Sequence, residues 1–374
     1  MPTMYILVFC SIVSSCQKNT TSTNLPTPTP VTTVNNDFYV RGIDMSFTPE
    51  IAETNTVYKD NGTAKPILTL VKDKGINTVR VRIWNNPKDV HSSLAEVTSF
   101  AKQLKTAGLK FWLDFHYADD WADPGKQPKP AAWTAADINA LKDSVYNYTK
   151  NVLTTLKQNN VSPDYIQIGN EINNGILWSS GKVNPTQTTN WTNFTQLLQQ
   201  GIKAAREITP NTKLMLHYAG YQDALSFFDK INSAGLDYDI IGLSYYPWWH
   251  GTNFDSLSLV MNNLKTTYKK PVQIAETSYP FTLQYNDYTG NVVGSADKLM
   301  SGYAATAQGQ AQFIADVSKL VKKNATSADF GICYWAGDWV AFRGKTATNG
   351  STWENLALFD FNNNALPALD SLGK

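Results

Sequence analysis

From Phe38 onward the chain repeats one pattern, a short β-branched or aromatic run followed by an amphipathic stretch of helical length. That alternation predicts parallel strands joined by crossover helices. Eight runs read as strands: Tyr39–Met45, Thr78–Trp84, Lys110–Tyr117, Tyr165–Glu171, Lys213–Tyr218, Ile240–Tyr246, Val272–Thr277 and Gly331–Trp335. Helices are expected over Leu94–Ala107, Ala140–Gln158, Phe194–Ile208, Leu257–Tyr268 and Gln308–Lys323, with a short last one from Pro367. Eight such units closing on themselves make an α/β fold, a single (β/α)8 TIM barrel. A doubly wound sheet usually stops at about five to seven strands and needs a Gly-rich phosphate turn, which this sequence lacks. No repeat, long linker or second composition regime follows residue 37, so 38–374 reads as one domain.

The first 37 residues read differently. Met4 to Val13 is an apolar run too short to span a bilayer and suited to the apolar core of a signal peptide. Val13-Ser14-Ser15-Cys16 resembles the lipobox of bacterial lipoproteins, which makes 1–16 a lipoprotein signal peptide and Cys16 the lipid-bearing residue. No Lys or Arg precedes the apolar run, a departure from that pattern, and a plain signal peptide is the alternative. Residues 17–37, rich in Thr, Asn and Pro, read as a flexible tether. The expectation is a secreted, monomeric protein, lipid-anchored to an outer membrane and facing outward, touching the membrane through its lipid alone. The sequons at Asn61, Asn147 and Asn193 would suit a fungal secreted protein instead. Cys333 is the one cysteine of the body, so no disulfide framework exists there, and it reads as a small buried hydrophobe.

Charge excludes some partners. The 32 Lys and Arg against 31 Asp and Glu leave a net charge of +1, which offers no footprint for nucleic acid or an anionic surface. Aromatic residues make up 12% of the chain, with 11 Trp and 18 Tyr, and flat rings are what stack on the apolar faces of sugars. In a barrel, chemistry sits at the carboxyl ends of the strands. Here those ends carry Asp44, Arg82 and Trp84, Asp114 and His116, Asn170 and Glu171, His217, Tyr245 and Tyr246, Glu276, and Trp335. Eight polar or aromatic strand ends on one rim describe a cleft. Period-two alternation along Tyr165-Ile-Gln-Ile-Gly-Asn-Glu171 turns Glu171 toward the axis, and the seventh strand delivers Glu276. Glycoside cleavage with retention needs such a pair, roughly 5–5.5 Å apart. An Asn beside the acid can bind the sugar 2-hydroxyl, a contact that strengthens in the oxocarbenium-like transition state.

Asn-Glu ending strand four with Glu ending strand seven resembles the signature of the large clan of (β/α)8 retaining glycosidases. Longer stretches narrow the likeness to glycoside hydrolase family 53, the endo-β-1,4-galactanases. These are Val79-Arg-Val-Arg-Ile-Trp-Asn-Asn-Pro87, Asp114-Phe-His-Tyr-Ala-Asp-Asp-Trp-Ala-Asp-Pro124 and Gln167-Ile-Gly-Asn-Glu-Ile-Asn-Asn-Gly175 with Leu177-Trp178. Ile241-Gly-Leu-Ser-Tyr-Tyr-Pro-Trp-Trp-His-Gly251 and Glu276-Thr-Ser-Tyr-Pro-Phe-Thr282 complete the set. The resemblance implies an endo-acting, retaining galactanase on pectic galactan and type I arabinogalactan, with Glu171 as acid/base and Glu276 as nucleophile. Arg82 is then expected near Glu276 to keep it ionised, and Glu171 to hold its proton through burial and the charge on Glu276. Asp114 and His116 would bind sugar hydroxyls or brace the acid. His217, Tyr245 and Tyr246 join the substrate-binding candidates. Trp335 would floor the −1 subsite, with Trp84, Trp121, Trp178 and Trp249 as further platforms.

Catalysis needs no cofactor in this reading, and the four His show no metal-ligand spacing. Bacterial members of the family can hold a structural Ca2+ in the loop after strand seven. Asp287 and Asn291 keep part of that ligand pattern, with Thr289 and Tyr285 at the other positions, where a solvated turn is the alternative. Two other functions share these features: the same machinery acting on mannan or xylan, and a surface lipoprotein that binds polysaccharide without cutting it.

Overall fold

The computed structural model describes residues 1, 39–184, 191–325 and 329–374. The expected signal segment, Cys16 and the tether lie outside the described residues. Within Val34–Lys374, eight parallel strands close into a barrel: β1 Val40–Asp44, β2 Thr78–Ile83, β3 Lys110–Phe115, β4 Tyr165–Ile168, β5 Lys213–Ala219, β6 Ile240–Tyr245, β7 Val272–Thr277 and β8 Gly331–Tyr334. Each strand pairs with the one before and after it, and β8 returns to β1 with Gly331 beside Val40. Among the described residues one main helix follows each strand, besides single turns at Thr48–Ala52 and Pro247–His250: α1 Ile67–Asp73, α2 Leu94–Ala107, α3 Ile138–Gln158, α4 Trp191–Ile208, α5 Ala224–Ser233, α6 Phe254–Tyr268, α7 Ala307–Asn324 and α8 Pro367–Leu372. The (β/α)8 barrel expected from the alternation is the fold.

Local chemistry explains the boundaries. The Ser93 side chain caps α2 by accepting from the Glu96 N–H, and Gly108 ends it in a left-handed turn. Asp137 caps α3 with two accepted bonds and Asn253 caps α6 with one. The large apolar core lies between the strands' outer faces and the helices, with Ile166, Ile168, Leu214, Leu216, Ile241 and Leu243 all buried there.

Inside the barrel the side chains form two layers of opposite character. The lower one is apolar: Val40, Trp112, Tyr165, Met215, Ile240, Ala275 and Cys333. Cys333 is therefore the small buried hydrophobe expected from its isolation. One or two inward positions further up, each strand turns polar, presenting Asp44, Arg80, Asp114, Gln167, His217, Ser244 and Glu276, with Trp335 just beyond β8. Glycine makes closure possible where β8 meets β1, because a Cβ on Gly331 would overlap Val40.

Two departures from regular strand geometry aim the acidic residues. The pairing of β6 with β7 slips so that Leu243 faces Ile274 while Ser244 faces Glu276, leaving Ala275 as the extra residue of a bulge. Ala275 and Glu276 thus both turn inward, one into the apolar floor and the other upward. On the opposite side β4 stops at Ile168, earlier than expected. Gly169 then turns at φ +84°, a conformation that glycine tolerates, and a Cβ there would overlap Ile172. Glu171 itself is left-handed at φ +47° and opens a short 3-10 turn. Its direction comes from this turn rather than from strand alternation.

Candidate active site

At the centre of the polar layer lies Arg80, 1% exposed. Its Nη1 donates to Asp44 at 2.7 Å, its Nε to Gln167 Oε1 at 3.1 Å, and its Nη2 to Asp114 at 2.8 Å and Asn170 Oδ1 at 2.9 Å. The same Nη2 lies 2.8 Å from Glu276 Oε1. One nitrogen therefore ties the residue before Glu171 to Glu276, across the barrel from β4 to β7. The other Glu276 oxygen accepts from Tyr246 Oη at 2.9 Å.

Glu171 is held differently. Its Oε1 accepts from Ser244 Oγ at 2.5 Å, and no cation touches it among the described residues. Burial raises its pKa to about 7; the Ser244 hydrogen bond opposes that rise, and Asp123 adds to it. Burial raises Glu276 as well, with Arg80 opposing and Glu171 adding repulsion. Two neighbouring carboxyls of this kind do not ionise together. A guanidinium and a phenol on Glu276, against a lone hydroxyl on Glu171, make Glu276 the member that ionises first.

Both carboxyls line one cleft with a cavity volume of about 620 Å³. Its aromatic wall consists of Trp121, Tyr246, Trp249, Trp335, Trp339 and Trp353. Trp335 packs edge-on to Trp353 with centroids 4.4 Å apart, while Phe47 stacks on Trp339 at 3.7 Å. Asn170 lines the cleft too, oriented by donating from Nδ2 to the Ala122 carbonyl at 2.8 Å. Asp44, His116 and Arg82 complete the lining among the residues expected from sequence.

Several expectations need correction. The cation beside Glu276 is Arg80, two residues before Arg82. Both point inward, but the longer climb from Arg80 ends at the height of Glu276, whereas Arg82 leans back into a ring of aromatics. The Arg82 guanidinium carbon lies 4.2 Å from the Phe47 ring centroid, 4.4 Å from Trp121 and 4.9 Å from Trp84. Burial lowers its pKa to about 10. Tyr245 is no cleft residue: alternation along β6 sends it outward to pack against Phe254 and Phe313, and its hydroxyl donates to the Gly251 carbonyl. Asp114 and His217 are fully buried beneath the cleft floor, held by Arg80 and by Gln167 and Ser244 respectively. His116 bonds Asp114 at 3.1 Å and so braces this layer while reaching the cleft. Trp84 stands behind Trp121, and Trp178 sits on the hairpin formed by Gly175–Ile176 and Gly181–Lys182, under the Lys182 ammonium. Neither borders the cavity. Arg80, Ser244, Trp339 and Trp353 were absent from the sequence candidates, although Arg80 and Ser244 lie within the quoted motifs.

No group of three or more His, Cys, Asp or Glu that could hold a metal occurs among the described residues. Around Asp287, 4% exposed, three buried oxygens nonetheless lack a donor: Asp287 Oδ2, Asn291 Oδ1 and Glu354 Oε2. Glu354, from the loop after β8, accepts from the Asn286 N–H at 2.7 Å. Burial raises its pKa to about 7, and the Asp287 charge adds to the rise.

The sequence model of glycosyl hydrolase family 53 matches residues 40–372. The chain belongs to that family. It is 38% identical over 344 residues to an arabinogalactan endo-β-1,4-galactanase of Cellvibrio japonicus, covering 89% of this chain and 90% of the relative. An endo-β-1,4-galactanase of Bacillus subtilis is 33% identical over 379 residues, covering 90% and 85%. Among solved structures, the family 53 catalytic domain of Ignisphaera aggregans superposes with a TM-score of 0.85 at 39% identity, covering 92% of this chain and 98% of that one.

In this family 53 site the shared guanidinium is the element most open to test. Arg80→Lys keeps a charge but loses the fork that reaches three carboxylates and two amides at once. We expect kcat/KM to fall about 100-fold, and the acidic limb of its pH profile to move upward because Glu276 loses part of its cation. An acidic limb unchanged in the folded variant would separate Arg80 from the ionisation of Glu276.

Proposed function

We propose that the protein is an endo-acting, retaining galactanase that cleaves β-1,4-galactosidic bonds in galactan and type I arabinogalactan. One observation carries the reading: a buried carboxyl, Glu276, and a half-buried one, Glu171, from opposite sides of the barrel line one aromatic cleft, the first braced by a cation and the second not. The galactanases among its relatives supply the substrate class.

In the first step Glu171 donates its proton to the glycosidic oxygen while ionised Glu276 attacks the anomeric carbon. The bond to the leaving sugar breaks as the glycosyl–Glu276 ester forms. In the second step the Glu171 carboxylate takes a proton from water, whose oxygen attacks the anomeric carbon and releases Glu276, so two inversions give retention. Asn170 offers its amide to the 2-hydroxyl. Trp335 floors the −1 subsite, and Trp121, Trp249 and Trp353 carry neighbouring galactosyl units. Because Glu276 must be ionised and Glu171 protonated, activity falls as pH rises through about 7, where Glu171 loses its proton.

Two further parts belong to the proposal. A lipid on Cys16, with residues 17–37 as a tether, would hold a monomeric enzyme at the outer face of an outer membrane, within reach of a polymer too large to import. The three unsatisfied oxygens of Asp287, Asn291 and Glu354 suit a hard cation that takes oxygen ligands, and we assign them to structural Ca2+. That ion would pin the loop after β7 to the loop after β8.

Galactan, mannan and xylan should be compared by initial rate, with the anomer followed by NMR; β-product from galactan is expected, and faster cleavage of mannan or xylan would overturn the substrate. Glu276→Ala should abolish reducing-sugar release. Ca2+ should raise the melting temperature relative to chelator, most strongly above pH about 7 where Glu354 no longer holds a proton. Asp287→Ala should remove that difference; a wild-type melting temperature indifferent to calcium would end the assignment. Cys16→Ser should move the expressed protein from the detergent phase to the aqueous phase in a phase-partition assay, and no shift would refute the anchor.

A further inference from the structure

The side of Glu171 turned away from the cleft is fully specified by hydrogen bonds. Ser244 Oγ stands between Glu171 Oε1, at 2.5 Å, and His217 Nε2, at 2.9 Å. A serine hydroxyl owns one proton, so it can donate to only one of them. The choice is made on the other face of the imidazole. His217 Nδ1 receives the backbone N–H of Glu171 at 3.3 Å, and Gln167 Nε2 lies 3.0 Å away. Asn170 Oδ1 is also 3.0 Å from Nδ1, but it already accepts from Arg80 Nη2 and Gln167 Nε2. The Glu171 N–H has no other acceptor among the described residues. Nδ1 is therefore the lone-pair nitrogen and Nε2 bears the hydrogen. His217 stays neutral, since burial first and Arg80 second press its pKa well below the ordinary value.

The remaining roles follow. Nε2–H donates to Ser244 Oγ, which turns the single serine proton toward Glu171 Oε1. Oε1 is thereby an acceptor at all times, and a proton placed on it would face another proton. No donor faces Oε2 among the described residues, and Glu171 borders the cleft.

We propose that His217 and Ser244 are positioning residues that keep the transferable proton of Glu171 on Oε2, the oxygen open to the cleft, and give Oε1 a standing donor that supports the carboxylate once that proton has left. The inference rests on Glu171 being the acid/base. Neither residue touches substrate. In glycosylation the proton passes from Oε2 to the leaving oxygen, and the Ser244 bond strengthens as charge develops on Glu171. In deglycosylation Oε2 takes a proton from water, and His217 and Ser244 end the cycle as they began it.

The other groups around Glu171 are Arg80 on β2, Asp114 and His116 at β3, Asp123 in the loop beyond it, Tyr246 and His250 after β6, and Glu276 on β7. Ser244→Ala changes none of these side chains; it removes the donor to Glu171 Oε1 and, with it, the acceptor of the His217 Nε2–H. The basic limb of kcat/KM against pH, which reports the free enzyme, should then move up by about one unit, the size expected for loss of a hydrogen bond to a charged group. Ser244→Thr, which keeps the hydroxyl, should return the limb to its wild-type position. Nitrogen-15 NMR of the wild-type protein should show the Nε2–H tautomer of His217. An Nδ1–H tautomer overturns the proposal even if Ser244→Ala fails to fold, and so does an unmoved limb in a folded Ser244→Ala. Glu171→Ala acting on a dinitrophenyl β-galactoside, whose phenolate leaves without a proton, with added azide tests the underlying reading separately: a β-galactosyl azide product upholds the acid/base role, and its absence removes that role itself.

Discussion

A single enclosed guanidinium organises the upper half of the barrel interior. Taking Arg80 out of water is costly, and the cost is offset because each of its three nitrogens meets an oxygen, from Asp44, Asp114, Glu276, Gln167 and Asn170. The arithmetic of charge around it has a chemical result. Three carboxylates already share one cation, so a fourth carboxyl nearby gains little by ionising, and Glu171 keeps its proton to about 7. The difference between an acid and a nucleophile thus arises from how a limited supply of positive charge is distributed, with burial acting on both.

The secondary structure could be read from the chain because its signals are periodic. Helices over Leu94–Ala107 and near Ala140–Gln158 follow from apolar spacing and cap residues, and all eight strand runs contain the strands observed, apart from Ala219 at the end of β5. The two acidic residues could be named from their motifs, but the reasons for their direction could not. Glu276 faces the cleft because the bulge at Ala275 breaks the alternation, and Glu171 is aimed by the turn at Gly169 and its own left-handed backbone, which replace the last three residues of the expected strand. Neither event leaves a periodic trace. The confusion of Arg82 with Arg80 has a related cause: both lie on the inward face, and which long side chain reaches Glu276 depends on height along a tilted strand. Trp339, Trp353 and Glu354 come from the long irregular segment after β8, where no pattern assigns a side chain to a face.

The aromatic wall has its own internal order. Arg82 lies against Phe47, Trp121 and Trp84, and Phe47 in turn stacks on Trp339, so a cation sits within a cage of rings next to the cleft. Large flat side chains on loops are otherwise free to rotate about two torsions. Here the cage fixes them before any sugar arrives, which lowers the ordering cost of binding.

The link from Asn170 to Glu276 through one Arg80 nitrogen acts as a spoke across the hub of a wheel. Because the spoke spans the hub rather than the rim, the gap between the two reacting groups depends on Arg80 and on the few loop positions that touch them, Ala122, Gln127 and Tyr246, and not on the outer parts of the loops above. Those loops are then free to lengthen, shorten or exchange aromatic rings over evolutionary time. A fold wired this way can change the length and kind of glycan it accepts while its bond-breaking geometry stays constant.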